Sequence, residues 1–171
     1  MDPIVIQAMA KWPNGPKVYG WLSLDRRGSW LIKGDRISNP GVVAFIGRNY
    51  TNDEQGRWFF QNGPQRVFVT LEYAPFVIAT AGVGAASLIT HTGRPIERVT
   101  GAWLDETGSL LLRWSCGPGL VNDRDLARVM TLLPMFMASR SATPRWQELS
   151  IPKPDAMQPG CTSTTPATAC R

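Results

Sequence analysis

A four-residue turn signal occurs three times in this chain, as Asp25-Arg26-Arg27-Gly28, Asp53-Glu54-Gln55-Gly56 and Asp105-Glu106-Thr107-Gly108, each running into an apolar stretch through Ser or Arg. The aspartate carboxylate caps the backbone two residues on, and the glycine takes φ > 0 without a Cβ clash. A chain punctuated in this way folds back on itself as β-hairpins. The repetition extends beyond the turns. Leu24–Lys33 lies over Leu104–Arg113, and each stretch continues through a glycine-containing segment into a helical pattern, Val42 to Tyr50 and Leu126 to Leu133. The spacing, about 80 residues, fits a duplicated hairpin-plus-helix motif and fits equally well two hairpins that look alike over ten residues.

The periodicities between the turns are readable in order. Asp2-Pro3 caps and opens a short helix through Trp12, which Pro13-Asn14-Gly15-Pro16 stops. Lys17–Leu24 and Ser29–Lys33 alternate as the arms of a first hairpin, and Ser38-Asn39-Pro40 starts a helix carrying Val42, Val43, Phe45 and Ile46. Trp58-Phe59-Phe60, the turn Asn62-Gly63-Pro64 and Arg66–Leu71 form a second hairpin, with Val67, Val69 and Leu71 on its better-buried face. Phe76–Thr80 and Leu88–His91 read as strands, Arg98–Leu104 and Ser109–Trp114 as the last hairpin. Asn122 or Asp123 caps a helix lined by Leu126, Val129, Met130 and Leu133. The expected fold class is α+β: a mostly antiparallel sheet of hairpins, duplicated or not, with two or three short helices. It occupies residues 1–150 as a single domain, with similar halves near 17–80 and 87–135, and the Pro-, Ser- and Thr-rich residues 151–171 read as a mobile tail.

A hydrophobic fraction of 43% supplies a core for 171 residues. No window has the length and apolarity of a membrane span, and the start at Met1-Asp2-Pro3 lacks the features of a signal peptide, so the expected location is the cytoplasm, without a membrane partner. Cys116, Cys161 and Cys170 are odd in number and without C-x-x-C spacing, which predicts reduced thiols and no zinc site. Net charge is +5, and Arg with seven Trp invites a nucleic-acid reading, but the cations are interleaved with Asp25, Asp35, Asp123 and Asp125. A mixed surface of that kind argues against nucleic-acid binding and leaves it as a non-specific alternative.

Candidate chemistry is sparse. Gly82-Val83-Gly84-Ala85-Ala86-Ser87 follows a strand but lacks the helix start that a dinucleotide loop needs, so no cofactor is expected. His91 is the single histidine, and the enzyme alternative is a hydrolase or transferase using it as base, although nothing fixes a Ser or Asp beside it. One histidine without carboxylates or thiols at ligand spacing predicts no metal site. Trp30, Trp58, Trp103 and Trp114 fall on strands, as core or as the floor of a pocket with Arg57 and Arg66 at its mouth. No catalytic residue is assigned. The leading expectation is a ligand-binding or regulatory domain that presents Arg57, Trp58, Gln61, Asn62, Gln65, Arg66 and His91 to a small anionic ligand or a protein partner. Association through an exposed aromatic sheet edge is a further alternative.

Several stretches carry a resemblance. Lys11-Trp12-Pro13, Tyr19-Gly20-Trp21-Leu22, Phe45–Tyr50, Gly56–Val67, His91-Thr92-Gly93, Trp103–Gly108 and Gly119-Leu120-Val121 are similar to a proteobacterial family of hypothetical proteins known only as a domain of unknown function. The likeness spans Ala10 to Leu133, and Trp58–Val67 is its most specific run. The aromatic hairpin, Gly20-Trp21 and Ala74-Pro75-Phe76-Val77 also resemble a second uncharacterised bacterial family, with two repeated β-rich motifs and a helix, for which signalling is suggested from architecture. Neither resemblance implies a catalytic residue.

Overall fold

Each of the three aspartates accepts two backbone N–H bonds across its own turn. Asp25 Oδ1 takes those of Arg27 and Ser29, Asp53 Oδ1 those of Gln55 and Arg57, and Asp105 Oδ1 those of Thr107 and Ser109, at 2.7–3.1 Å. Gly28, Gly56 and Gly108 sit at φ 83°, 75° and 79°. The turns therefore form for the reason the sequence gives. The computed structural model describes residues 1–82 and 87–137. The expected tail from Ile151 and most of the Gly82–Ser87 loop lie outside them.

The strands form two six-stranded sheets. The first contains β1 (Lys17–Leu24), β2 (Trp30–Ile32), β3 (Asp35–Arg36), β4 (Tyr50–Asn52), β5 (Trp58–Asn62) and β6 (Gln65–Leu71), in the order β3-β2-β1-β6-β5-β4. The second contains β7 (Phe76–Thr80), β8 (Leu88–Thr90), β9 (Pro95–Ile96), β10 (Gly101–Leu104), β11 (Leu110–Trp114) and β12 (Gly117–Val121), in the order β10-β11-β12-β7-β8-β9. Both are two antiparallel meanders joined at the centre by one parallel pair, β1 with β6 and β7 with β12. The identical strand order suggests a duplicated six-strand unit. Its register corrects the repeat read from sequence, because Asp53 and Asp105 both open the β4–β5 type of connection, whereas Asp25 opens β1–β2. Pairs such as Phe60↔Val67 and Leu112↔Gly119 recur at the same places. The repeat thus links the second turn with the third, and no helix of the second unit stands where one divides the meanders of the first.

That dividing helix is α2 (Pro40–Arg48), capped by Asn39, whose Oδ1 accepts from Gly41 and Val42. The N-terminal α1 (Pro3–Lys11) has Asp2 before it, but the Asp2 carboxylate turns away from capping to meet Arg48 Nε at 3.0 Å, tying the start of α1 to the end of α2. A 3₁₀ turn, Asp123–Asp125, capped by Asn122, leads into α3 (Leu126–Met137). Among the described residues no helix is long and apolar enough to cross a membrane. One hydrophobic cluster draws on both sheets, joining Leu22, Leu24, Trp30 and Phe60 to Phe76, Ile78, Leu110 and Leu112, with Ile46, Val129 and Leu133 from the helices. The expectation of reduced thiols concerns Cys116, Cys161 and Cys170, and the last two lie outside the described residues.

Candidate functional site

Alternation along β5 and β6 decides where each candidate residue goes. Asn62 pairs with Gln65 and Phe60 with Val67, while Gln61 pairs with Arg66 and Phe59 with Phe68. Side chains of adjacent pairs leave on opposite faces of the sheet. Phe60 and Val67 belong to the core face. The other face was expected to be the wetter one, yet Phe68 there is the most buried residue of β6, because the Tyr19 ring stacks flat on it at 4.5 Å and the Arg57 guanidinium lies over it at 4.9 Å.

At the tip of this hairpin a cleft of about 610 Å³ opens between it and the end of α1, lined by Met9, Trp12, Pro13, Lys17, Gln61 and Arg66 among others. The Pro13–Pro16 segment can approach the hairpin only because residue 15 is glycine: a Cβ there would sit 1.7 Å from the Pro64 carbonyl oxygen. Lys17 and Arg66 are direct partners in the parallel β1–β6 register. Like charges at such a position repel, and among the described residues no carboxylate lines the cleft. The Arg66 guanidinium lies over the Phe59 ring, 5.1 Å from its centroid. Half-exposed Trp12 carries the Lys11 ammonium on its ring at 4.7 Å. Gln61, fully buried, donates from Nε2 to the carbonyls of Gly63 and Gln65 and so holds the hairpin tip, while its buried Oε1 has no partner among the described residues.

Of the seven residues expected to share a site, the structure brings Gln61 and Arg66 together here and sends the others elsewhere. Arg57 stands at the far end of β5, paired with Asp53 at 2.7 Å. Partial burial alone would raise the Asp53 carboxyl, but the hydrogen bonds from Arg57 hold it below its ordinary value. Trp58 packs in the core against Tyr50 and Phe76 at 4.9 and 5.0 Å. Asn62 and Gln65 face a separate groove beside α2.

His91 lies beyond β8, where the two sheets meet. Its backbone N–H donates to the Val77 carbonyl at 2.7 Å, and its Nδ1 accepts from the Val77 N–H at 3.2 Å. Nδ1 therefore carries the lone pair and Nε2 the proton. Nε2 is buried without a partner among the described residues, and the ring is surrounded by Trp30, Tyr50 and Phe76 at 5.2–6.1 Å. Burial, with Arg94 nearby, pushes its pKa down to about 3. In this arrangement neither nitrogen offers a free lone pair, so the geometry gives a catalytic base at His91 no support. Among the described residues no group of three or more His, Cys, Asp or Glu could hold a metal ion.

The sequence also left unread a joint between the first and third turns. Arg26 Nη2 donates to Ser109 Oγ at 2.8 Å, and its guanidinium lies 4.4 Å over the Tyr73 ring, whose hydroxyl donates to Asp105. Burial and the bond to Asp105 push Tyr73 up to about 12. Asp105, against a desolvation that would raise it, is held down at about 2 by Tyr73 and the turn N–H groups. The repeated turn signal was visible, but which copies touch was not.

Residues 1–161 match the family DUF2944, described as a protein of unknown function (DUF2946). No curated protein matches the chain in sequence. Two solved structures share the fold. A DUF1285 family protein from Silicibacter pomeroyi DSS-3 is 21% identical, with 76% of this chain and 75% of that one covered at a TM-score of 0.50. A DUF1285 family protein from Shewanella baltica OS155 is 17% identical, with 66% and 91% covered at a TM-score of 0.50.

Proposed function

We propose that this chain, which belongs to the DUF2944 family of proteins of unknown function, binds a small anionic ligand in the cleft between α1 and the β5–β6 hairpin. The observation that carries the reading is the register pairing of Lys17 with Arg66 in a cleft that no carboxylate of the described residues lines. Two adjacent cations repel in the empty site, and an anion placed between them relieves that repulsion. The Arg66 fork, beside the Phe59 ring, suits a carboxylate or phosphate with two parallel N–H···O bonds. Trp12 offers a flat apolar surface beside the charge site, so the best ligand joins an anionic group to a planar body.

The test is calorimetric titration of the full-length protein with 1-naphthyl phosphate. Saturable binding is expected, about tenfold or more weaker in Arg66→Ala, weaker in Lys17→Ala, and unchanged in Arg57→Ala, whose charge is already matched by Asp53. Absence of binding, or equal binding by Arg66→Ala, sinks the reading.

A further inference from the structure

The opposite face of the same hairpin carries a second and chemically different opening. Between α2 and the β1–β6 pair lies a groove of about 520 Å³ whose lining contains no charged side chain. Three of the large apolar residues left half-exposed in the described structure, Trp21 at 51%, Ile32 at 45% and Val42 at 41%, converge on it, and Phe45 and Phe60 lie deeper. Leaving such a patch open to water is costly, and a concave apolar patch rimmed by polar groups marks a binding surface. The polar groups are Asn62 and Gln65, direct cross-strand partners at the end of the hairpin. Neither carboxamide has a hydrogen-bond partner among the described residues, so each keeps a donor and an acceptor free.

We propose that this groove takes a small acyl amide, its aliphatic tail against Trp21, Phe45 and Phe60 and its amide head on the Asn62 and Gln65 carboxamides. A neutral head is the one that fits. An ammonium placed there would lose its hydration with no carboxylate in the lining to replace it, and the Lys33 ammonium that could meet a carboxylate is already held 3.9 Å over the Trp21 ring, whereas an amide exchanges its water for donors and acceptors of the same kind. The site is separate from the basic cleft: alternation puts Asn62 and Gln65 on one face of the sheet, Gln61 and Arg66 on the other.

The experiment is an NMR titration of the ¹⁵N-labelled full-length protein with octanamide, with acetamide in parallel. Saturable shifts of the Trp21 indole and of the Asn62 and Gln65 side-chain NH₂ groups are expected with octanamide, and far smaller ones with acetamide, which lacks the tail. Val42→Trp, which fills the mouth from α2, should abolish them. Asn62→Ala with Gln65→Ala, both at the rim and not in the core, should weaken binding by roughly tenfold and keeps the test available if Val42→Trp does not fold. No saturable shift, equal shifts with acetamide, undiminished binding by the double variant, or concentration-dependent shifts of the same signals without octanamide, which would mean a second copy in the groove, each overturns the proposal.

Discussion

The β5–β6 and β11–β12 hairpins hold equivalent places in sheets of the same strand order, yet their side chains are distributed in opposite ways. The core-facing row of β5 runs Trp58, Phe60, Asn62, and that of β11 runs Leu110, Leu112, Trp114. At the last position the first sheet has an exposed amide beside a groove, and the second has an indole 7% exposed, packed 5.4 Å from Phe76. On the opposite face the buried Gln61 and the cleft-lining Arg66 stand where the second sheet has an exposed Arg113 and Pro118. Turns and strand pairing thus fix the architecture twice over. The side chains at one hairpin tip decide whether that architecture is closed as core or left open as a groove.

Exchanging the end residues should give the largest and most lopsided effect. Trp114→Asn removes a buried ring and should cost about 3–5 kcal/mol, read as a clear drop in the thermal midpoint. Asn62→Trp, at an exposed position, should change stability by less than about 0.5 kcal/mol while closing the groove. Comparable losses in both would mean that the two tips are not the core and open versions of one motif. Smaller, but still distinct, is the effect of giving the second sheet the side chain of the first. Gly119 corresponds to Val67, and a Cβ at Gly119 would come within 2.6 Å of Ile78 Cδ1 and 3.3 Å of Phe76 Cβ. Ile78 is fully buried, so Gly119→Val should cost about 1–3 kcal/mol in urea unfolding.

The contact between the sheets makes a prediction in pH. A Cβ at Gly28 would lie 2.8 Å from His91 Cβ, so the first turn of one sheet is seated directly on the histidine of the other. His91 has its pKa lowered from 6.5 to about 3. Above pH 6.5 it is neutral folded or unfolded. Below that the unfolded chain takes a proton that the folded one refuses, so stability falls with acidification at up to about 1.4 kcal/mol per pH unit until about pH 3. His91→Gln should flatten the stability profile between pH 6.5 and 5 by about one proton. An unchanged slope would show that His91 is not held neutral at this contact.

How much of this was legible in the sequence follows from how local each interaction is. The turn aspartates, the Asn39 and Asn122 caps and the alternation of β6 act over a few residues, and the chain follows them. β12 was missed because Gly117-Pro118-Gly119 has the composition of a turn; it is a strand because it runs parallel to β7, where Gly119 lets Ile78 approach. Tyr50 continues the helical pattern but begins β4 instead, and its hydroxyl is spent on the Pro75 carbonyl. The same limit applies to the cleft. Gln61 and Arg66 could be named from the hairpin alone, while Lys17 and Trp12 reach it only through parallel pairing with a strand far along the chain. Arg57 was misplaced because its charge is met locally by Asp53, four residues back.

Whether the hairpin of the first sheet binds while its counterpart only packs is settled by mapping amide and indole shifts on addition of 1-naphthyl phosphate to the full-length protein. Saturable shifts centred on Trp12, Lys17, Gln61 and Arg66 are expected, with β11 and β12 unmoved. Shifts centred on Arg113–Gly119, or none in either hairpin, would contradict that expectation.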